Sequence, residues 1–320
     1  MKKIVSFCLG LTIACSAGLG LVSCTKKDNG PSDVNLENYN RAISLLESKD
    51  YAGAQALFEQ LGDYKDAEEY LSNFYYMPIS FEYDLIGKNG TNVITYHENN
   101  LPASEIIDRV DAQGVFDFVY DEKGNITQQV LTRDGVVSVY KYTYNEAGKR
   151  LKAEYTIQGE WFATHTFEYD ADGNVSRQVY TDAQGTTYEY LLEHDSHGNI
   201  TRLETIYNGE SQVMNIRYTY AENQSLLEEV CTYPDGTFET VQYVYDENNH
   251  RVKQIITDTD GEQTWYDFTY DEHRNIVKEV FTDEEGHQQY VKIVYELKYI
   301  PCGITEGTEI FFREIWVERL

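Results

Sequence analysis

The chain of 320 residues is longer than one compact domain usually is, so length alone predicts a second unit or a repeat array. Its 28 tyrosines, against 5 prolines and 3 methionines, favour β structure, because aromatic side chains suit pleated, half-buried surfaces. The 54 Asp and Glu outnumber the 26 Lys and Arg and give a net charge of -28, which repels phosphate backbones and excludes nucleic acid as a partner. Divalent cations and basic proteins remain compatible with that charge.

The first residues have the features of an export signal. Lys2 and Lys3 precede a long apolar stretch, as in a secretory signal peptide. Leu21-Val22-Ser23-Cys24 at its end resembles the lipobox of bacterial lipoproteins. That resemblance implies removal of residues 1–23, acylation of Cys24 with chains such as palmitate, and a lipid anchor on a bacterial membrane. The alternative is an uncleaved membrane anchor, since the stretch nearly meets the ~20 residues of a transmembrane helix. Both interpretations leave the rest of the chain outside the cytoplasm.

A spacer and a helical segment follow. Residues 24–33 are polar and contain Gly30-Pro31, which suits a spacer between lipid and folded body. Over residues 34–76 apolar side chains recur at the three- and four-residue steps of a helix. They are Leu36, Tyr39, Ala42, Ile43 and Leu46, then Ala54, Leu57, Phe58 and Leu61. The pattern predicts a helical hairpin and resembles one tetratricopeptide unit. One unit cannot form the concave groove of stacked repeats, so we expect a small cap or spacer, with peptide binding as the alternative.

Residues 80–300 repeat a unit centred on tyrosine. Equivalent positions, here called the tyrosine column, are Tyr96, Tyr120, Tyr144, Tyr169, His194, Tyr220, Tyr245, Tyr270 and Tyr295, at intervals of 24 to 26 residues. An apolar residue precedes the column residue by two places, as Phe118 precedes Tyr120, so both lie on one strand face. Regularity at a fixed period is typical of a repeat architecture.

Each unit contains two strands and two turns. A polar first turn follows the column residue, as in Tyr120-Asp121-Glu122-Lys123-Gly124-Asn125, where Gly and Asn supply the positive φ of a tight reversal. A second strand then leads to a second turn such as Asp134-Gly135 or Asn208-Gly209, which are strong hairpin signals. With turns this short, neighbouring strands must run antiparallel.

The units resemble the YD, or Rhs-type, repeat family, which is named for a Tyr-Asp pair followed by Gly-Asn. Tyr120-Asp121 with Gly124-Asn125 and Tyr169-Asp170 with Gly173-Asn174 match that pattern, and the other units match in part. The resemblance covers about 200 of the 320 residues. Large members of the family wrap many repeats into a shell around a toxin. The units here are too few for a closed shell, and the short tail leaves no room for a cargo.

The expected fold is mainly β: an elongated, coiled antiparallel sheet of tandem β-hairpin repeats, preceded by a small helical hairpin. Two strands per unit at ~4.8 Å each predict a ribbon on the order of 75 Å long. Column rings stacked on their neighbours in the next unit would stabilise it, and Tyr245→Ala in its middle should destabilise it more than Tyr96→Ala at its end. Adjacent apolar residues such as Val179 and Tyr180 indicate that the sheet also curls. Residues 301–320 are expected to form a closing strand or cap.

No catalytic signature occurs in the sequence. His97-Glu98 begins like the zinc-protease helix motif, but Leu101 stands where the second His is required. The other histidines are scattered over the repeats. We therefore predict no catalytic residue, no metal site and no cofactor. The thiol of Cys231 is expected to be buried, because other units place Tyr155 or Ile256 at its position, although one bridge to Cys302 stays open.

Two sets of residues are candidates for binding. Asp170, Asp172 and Asn174 place oxygen ligands at alternate positions, like the opening of a calcium loop, although Asp-Gly-Asn sequences also form plain turns. Trp161 and Trp265 lie on strands at second turns, where their rings could stack on a glycan. Tyrosine-rich repeats, however, normally use their rings for packing.

These features predict a non-catalytic binding or scaffolding module tethered to the cell envelope, with a surface protein or a glycan as partner. One alternative is a glycan or wall-polymer binding protein. Another is an envelope hydrolase that uses a carboxylate at a turn, such as Asp170 or Glu168. A hydrolase of that kind would lose turnover when the carboxylate becomes an amide.

Overall fold

The computed structural model describes residues 33–301 and residue 303. Three helices are followed by 18 strands in this part of the chain. None of these helices combines the length and the apolar character needed to cross a membrane. The leader, Cys24, the spacer as far as residue 32, Cys302 and the tail from residue 304 lie outside the described residues. The predicted lipidation and the predicted C-terminal cap fall there.

The helical N-terminal part predicted from the sequence is present. The helices are α1 (Asp33–Glu47), α2 (Tyr51–Leu61) and α3 (Ala67–Leu71). Ala42, Ala54 and Phe58 are fully buried between them, at positions that the helical period marked as apolar. Asp50 begins α2, since its Oδ1 accepts a hydrogen bond from the Gly53 amide at 3.0 Å. The segment packs on the end of the sheet, where the ring of Tyr70 stacks on Tyr299 with centroids 6.0 Å apart.

Eighteen strands form one antiparallel sheet. They are β1 (Phe74–Asp84), β2 (Gly90–Tyr96), β3 (Pro102–Arg109), β4 (Gln113–Tyr120), β5 (Ile126–Arg133), β6 (Val136–Tyr144), β7 (Arg150–Ile157), β8 (Glu160–Tyr169), β9 (Val175–Asp182), β10 (Thr187–His194), β11 (Ile200–Tyr207), β12 (Glu210–Tyr220), β13 (Leu226–Thr232), β14 (Phe238–Tyr245), β15 (Arg251–Thr257), β16 (Gln263–Tyr270), β17 (Ile276–Thr282) and β18 (Gln288–Tyr299). Each strand pairs with its neighbours in sequence, so the hairpin architecture predicted from the turns is present.

The prediction of an elongated, open ribbon is wrong, because the sheet closes into a barrel. β1 pairs with β2 on one side and with β18 on the other, and β9 pairs with β10, so every strand has two partners. The closing seam is long: it runs from Phe74 opposite Tyr299 to Asp84 opposite Tyr290. The strand that closes the barrel against β1 is therefore β18.

Closure satisfies the two strand edges that a ribbon would leave open. An open edge presents a row of unpaired N–H and C=O groups that other chains can pair with. In the barrel those groups of β1 and β18 bond to each other. Turn chemistry and period-two alternation specify only which strands are adjacent, and adjacency is the same in a ribbon and in a barrel. A barrel differs from a ribbon in the curvature of the sheet, which accumulates in small increments over all 18 strands.

The two kinds of turn lie at opposite ends of the barrel, here called the first-turn rim and the second-turn rim. The predicted positive φ occurs at Gly124 in a first turn (φ 87°) and at both Asp134 and Gly135 in a second turn (φ 52° and 76°). First turns that lack the glycine still adopt the same conformation. Gln224 and Arg274, for example, occupy it with φ of 67° and 68°. The backbone geometry of the first turn is thus retained when its sequence varies.

Arg274→Gly should stabilise the barrel by about 0.5–1 kcal/mol, because the left-handed conformation costs a side-chain-bearing residue energy that glycine does not pay. The side chain is exposed, so little packing is lost. Chemical denaturation of the variant and of Arg274→Lys measures the effect. The lysine variant should match the parent, and equal stability of all three would contradict the expected strain.

Candidate functional site: the inner face of the barrel

One face of the sheet is buried and the other is exposed. Phe118 and Ile293 are 4% and 3% exposed, whereas Val119 and Val294, the next residues along the same strands, are 47% and 51% exposed. The three described helices are too few to cover the convex side of 18 strands. The buried face is therefore the concave one, called the inner face below.

The outer face carries the ion pairs. Arg177 pairs with Glu168 and Glu189 across neighbouring strands. Arg202 pairs with Glu193 of the neighbouring strand at 3.4 Å and with Glu204 of its own strand at 2.7 Å. Exposed pairs of this kind contribute roughly 0–1 kcal/mol each. The outer face is thus a solvated surface whose side chains already have partners.

The inner face carries one polar position per repeat that the sequence analysis missed. This polar column lies at the middle of each second strand and consists of Glu105, Gln129, Gln178, Glu229, Gln254 and Glu279, with Ala153 and Leu203 at the two remaining positions. Each polar member stands opposite an apolar or aromatic residue of the preceding strand, as Gln129 stands opposite Phe118. Its spacing of 24 to 26 residues was a visible signal, but period-two counting alone does not say which parity faces inward.

Most polar side chains of this column bond to a neighbouring strand. Gln129 Oε1 accepts from the Tyr142 hydroxyl at 2.7 Å, and Glu105 Oε1 accepts from the Asn92 amide at 2.6 Å. Gln178 Nε2 lies 2.7 Å from His165 Nδ1. These bonds satisfy groups that would otherwise be costly to bury. The column therefore stabilises the fold, and its side chains can bind a ligand only where they are accessible.

Glu229 is a buried carboxylate of the column whose pKa is shifted. It is 7% exposed, and burial raises the pKa of its carboxyl above the ordinary value, against the lowering effects of hydrogen bonds from Cys231 and Tyr243. The Cys231 thiol lies 3.3 Å from Oε1 and the Tyr243 hydroxyl 3.2 Å from Oε2. Cys231 is buried, as its repeat position predicted.

The tyrosine column links units through hydroxyl groups, and the predicted stacking of column rings on one another is wrong. Successive rings are two strands apart, or ~10 Å, which exceeds the 4.5–7 Å of an aromatic contact. Most of the rings instead reach across to the preceding unit. The hydroxyls of Tyr144, Tyr169 and Tyr245 donate to the carbonyls of Ile126, Arg150 and Leu226 at 2.6, 2.7 and 2.8 Å. The column therefore bridges two strands at the first-turn rim.

A second aromatic group lies on the inner face near the second-turn rim. It runs over β6 to β11 and is here called the tyrosine band: Tyr140, Tyr155, Tyr180, Tyr188, Tyr190 and Tyr207. Tyr140 stacks on Tyr155 with centroids 4.4 Å apart, and Tyr188 stacks on Tyr207 at 4.6 Å. Five of the six side chains are half-buried and Tyr207 is 40% exposed. The band is thus an accessible aromatic wall inside the barrel.

His165, Gln178 and Thr205 beside the band are uncharged at neutral pH, and the Arg150 guanidinium lies near His165, 4.5 Å from the Phe167 ring. Burial lowers the pKa of His165 below its usual value, and the nearby Arg150 lowers it further. The neutral imidazole pairs with the Gln178 amide, and Gln178 stands opposite Tyr190 across the strand pair. Thr205 stands opposite Tyr190 on the other side. The wall therefore presents ring faces together with amide, imidazole and hydroxyl groups.

The candidate cation ligands Asp170, Asp172 and Asn174 form a first turn. Asp170 Oδ1 accepts from the backbone amides of Asp172 and Asn174 at 3.0 and 2.8 Å. The hydrogen bond from the Asn174 amide is the largest influence on this carboxyl and lowers its pKa. Asp121 and Asp271 make the same bonds in their own turns. The turn alone thus accounts for the Asp and Asn residues here, and cation binding stays a prediction.

Trp161 and Trp265 do not form one site. Trp161 begins β8 at the second-turn rim, is 46% exposed, and donates from Nε1 to Thr164 Oγ1 at 3.0 Å. Trp265 lies in β16 on the outer face, where the Lys253 ammonium sits 4.8 Å from its ring. Eight strands separate the two rings, so a glycan could stack on each only independently.

Glu168 and Asp170, the carboxylates proposed for a hydrolase, have separate structural roles. Glu168 is on the outer face in an ion pair with Arg177, and Asp170 is bound by backbone amides within its turn. Within residues 33–301, no group of three His, Cys, Asp or Glu side chains is arranged to hold a metal ion.

The fold and inner face define a closed, β-rich repeat protein, and comparison with known proteins adds only distant likenesses. No protein-family model and no curated protein matches the chain. A porin-like protein from Bacteroides uniformis is 12% identical over 68% of this chain and 96% of its own, with a TM-score of 0.39. A porin-like protein from Bacteroides vulgatus is 8% identical over 69% and 99%, with a TM-score of 0.35. A Tc holotoxin pore from Photorhabdus luminescens is 11% identical over 68% and 16%, with a TM-score of 0.23. Likenesses this weak carry no argument about function.

Proposed function

We propose that this chain is a non-catalytic, lipid-anchored binding protein of the cell envelope, built from YD-type repeats, and that the inner face of its barrel is the binding surface. The observation that carries the proposal is the half-exposed tyrosine band on a concave face. The interior of a closed sheet widens with strand number, and eight strands already enclose about as much as side chains fill. Eighteen strands therefore leave room for a ligand beside the band.

The envelope location rests on the leader and on the lipobox resemblance at Cys24. Several acyl chains hold a protein on a membrane far more firmly than one does. Cys24→Ser should therefore move the protein from the membrane fraction to the soluble extracytoplasmic fraction and abolish incorporation of labelled palmitate. Retention of Cys24→Ser in the membrane fraction would instead support an uncleaved apolar anchor.

Binding by the inner face can be tested with a pair of matched threonine variants. Thr205 lies on the inner face of β11, and Thr219 lies on the outer face of β12. The full chain in detergent should bind purified envelope polymer saturably and without turnover. Thr205→Arg should weaken that binding by about tenfold or more, because a cation then occupies the space beside the band. Thr219→Arg should leave it unchanged. Equal behaviour of the two variants, or turnover that Glu168→Gln or Asp170→Asn abolishes, would contradict the proposal.

A further inference from the structure

We infer that the ligand of the inner face is a neutral oligosaccharide that lies along the tyrosine band, with Gln178 and His165 as its hydrogen-bonding partners. The inference rests on the proposed function and names the ligand class of that same surface. It places the site on β6 to β11 at the second-turn rim, away from Trp265 and from the carboxylates of the first turns.

The first argument is the contrast in burial around the barrel at one height. Positions equivalent to the band on β12 to β15 carry Ile216, Cys231, Val241 and Ile256, which are 8%, 0%, 1% and 8% exposed. On β7 to β10 the same positions carry Tyr155, His165, Tyr180 and Tyr190, all half-buried, as are Tyr266 and Phe281 on β16 and β17. Packing alone accounts for the buried residues on β12 to β15. It does not require six tyrosines that keep part of their rings accessible.

The second argument is the shape of the band. Two stacked pairs, Tyr140 with Tyr155 and Tyr188 with Tyr207, have ring planes within 10° of parallel. Tyr180 lies between them and contacts Tyr188 with centroids 6.1 Å apart. Across six strands the band is about 24 Å wide, which is enough for several sugar rings. Flat rings with few polar groups beside them are the usual lining of a site that orients its ligand.

The third argument is charge. The chain carries a net charge of -28, yet the band is neutral, because burial keeps the His165 imidazole unprotonated at neutral pH. Gln178 and Thr205 are likewise uncharged. Ring faces combined with amide, imidazole and hydroxyl groups match a polyol, whose C–H faces are apolar and whose edges hydrogen-bond. A polyanion would meet the Arg150 guanidinium beside the band, but the net negative charge of the rest of the chain would repel it.

Two other occupants fit less well. An extended peptide usually binds by adding a strand to an open sheet edge, and all 18 strands here have two partners. Single-stranded nucleic acid also stacks on aromatic rings, but it needs a basic groove for its backbone. The band has none, so the neutral glycan is the occupant that the observations favour.

The test uses the full chain in detergent and a panel of neutral hexasaccharides: cello-, malto-, xylo-, manno- and chitohexaose. Anionic oligogalacturonate and a soluble random peptide library serve as comparators. Binding is measured by calorimetry for the parent and for Tyr155→Leu and Tyr188→Leu, which keep apolar volume but lose the flat ring. Tyr266→Leu is the matched control, because Tyr266 lies at the same height on β16, outside the band. Thermal unfolding of every variant shows whether it folds.

At least one neutral hexasaccharide should bind, and each band variant should weaken its binding about tenfold or more. The Tyr266→Leu control should retain parental affinity. Tyr188→Phe should also retain it, which keeps the test decisive if a leucine variant fails to fold. Binding to the anionic sugar or to peptides alone, no binding to any panel member, or equal loss in Tyr266→Leu would overturn the inference. The function proposed above would survive if envelope polymer still bound with sensitivity to Thr205→Arg, and it would fail if no envelope polymer bound.

Discussion

Tyr96→Ala and Tyr245→Ala should destabilise the protein equally, by about 3 kcal/mol each. In a ribbon Tyr96 would belong to a terminal unit with one neighbour, and its loss would cost less than that of Tyr245. In the barrel both tyrosines have a neighbouring unit on each side. The Tyr96 hydroxyl donates to the Pro78 carbonyl at 2.5 Å, and the Tyr245 hydroxyl donates to the Leu226 carbonyl at 2.8 Å. Neither residue is at an end.

Chemical denaturation of the two variants measures this directly. Val244→Ala serves as the control, since Val244 is 42% exposed on the outer face beside Tyr245. The unfolding free energy of this variant should lie within about 0.5 kcal/mol of that of the parent. A loss at Tyr96 that is less than half of the loss at Tyr245 would contradict the closed arrangement.

Glu229→Gln should stabilise the protein at neutral and mildly alkaline pH, because it removes a carboxylate that is costly to ionise when buried. Burial raises the pKa of Glu229, so the folded state holds the proton more tightly than the unfolded chain does. The contribution of this group to stability is therefore fully present below the ordinary carboxyl pKa and is lost as pH rises through the raised one. Glutamine removes that loss, and it already stands at the equivalent positions 129, 178 and 254, so the repeat accommodates it.

Unfolding measured across a pH series separates this effect from a simple packing change. The difference in unfolding free energy between Glu229→Gln and the parent should grow as pH rises and fall towards zero in acid. Gln254→Glu is the matched reverse, because Gln254 is 8% exposed at the same height in the next unit, and it should lose stability with rising pH. A gap that is constant with pH would show that the charge of Glu229 has no part in it.

The sequence predicted the local architecture of this protein but not its closure. Every reversal was signalled by its own residues, such as Asp134-Gly135, whose two positive φ angles make the hairpin. The alternation of Phe118 and Tyr120 placed both on one strand face. Closure depends on the pairing of β1 with β18, more than 200 residues apart, and no local pattern specifies it. Apolar residues on both parities, as at Val179 and Tyr180, pointed to a curled sheet but not to how far it curls.

The candidate site was harder to predict than the fold. Tryptophans are rare and large, which made Trp161 and Trp265 candidates for a binding site, yet they lie eight strands apart. The tyrosine band was hidden among 28 tyrosines. Its members share a sheet face with the tyrosine column, and only the structure shows which of these rings adjoin one another across strands. The polar column could have been found from its spacing, had the inward parity been known.

A spin-label distance across the seam tests the closed barrel most directly. Ser80 on β1 and Val294 on β18 are register partners on the outer face, and Val294 is 51% exposed. Nitroxide labels on cysteines at these positions, with Cys302 replaced by serine, report their separation by pulsed electron resonance. The barrel predicts backbones ~5 Å apart and labels within about 20 Å. An open ribbon places the two strands 17 steps apart, or ~80 Å, and a distance of that order would contradict closure.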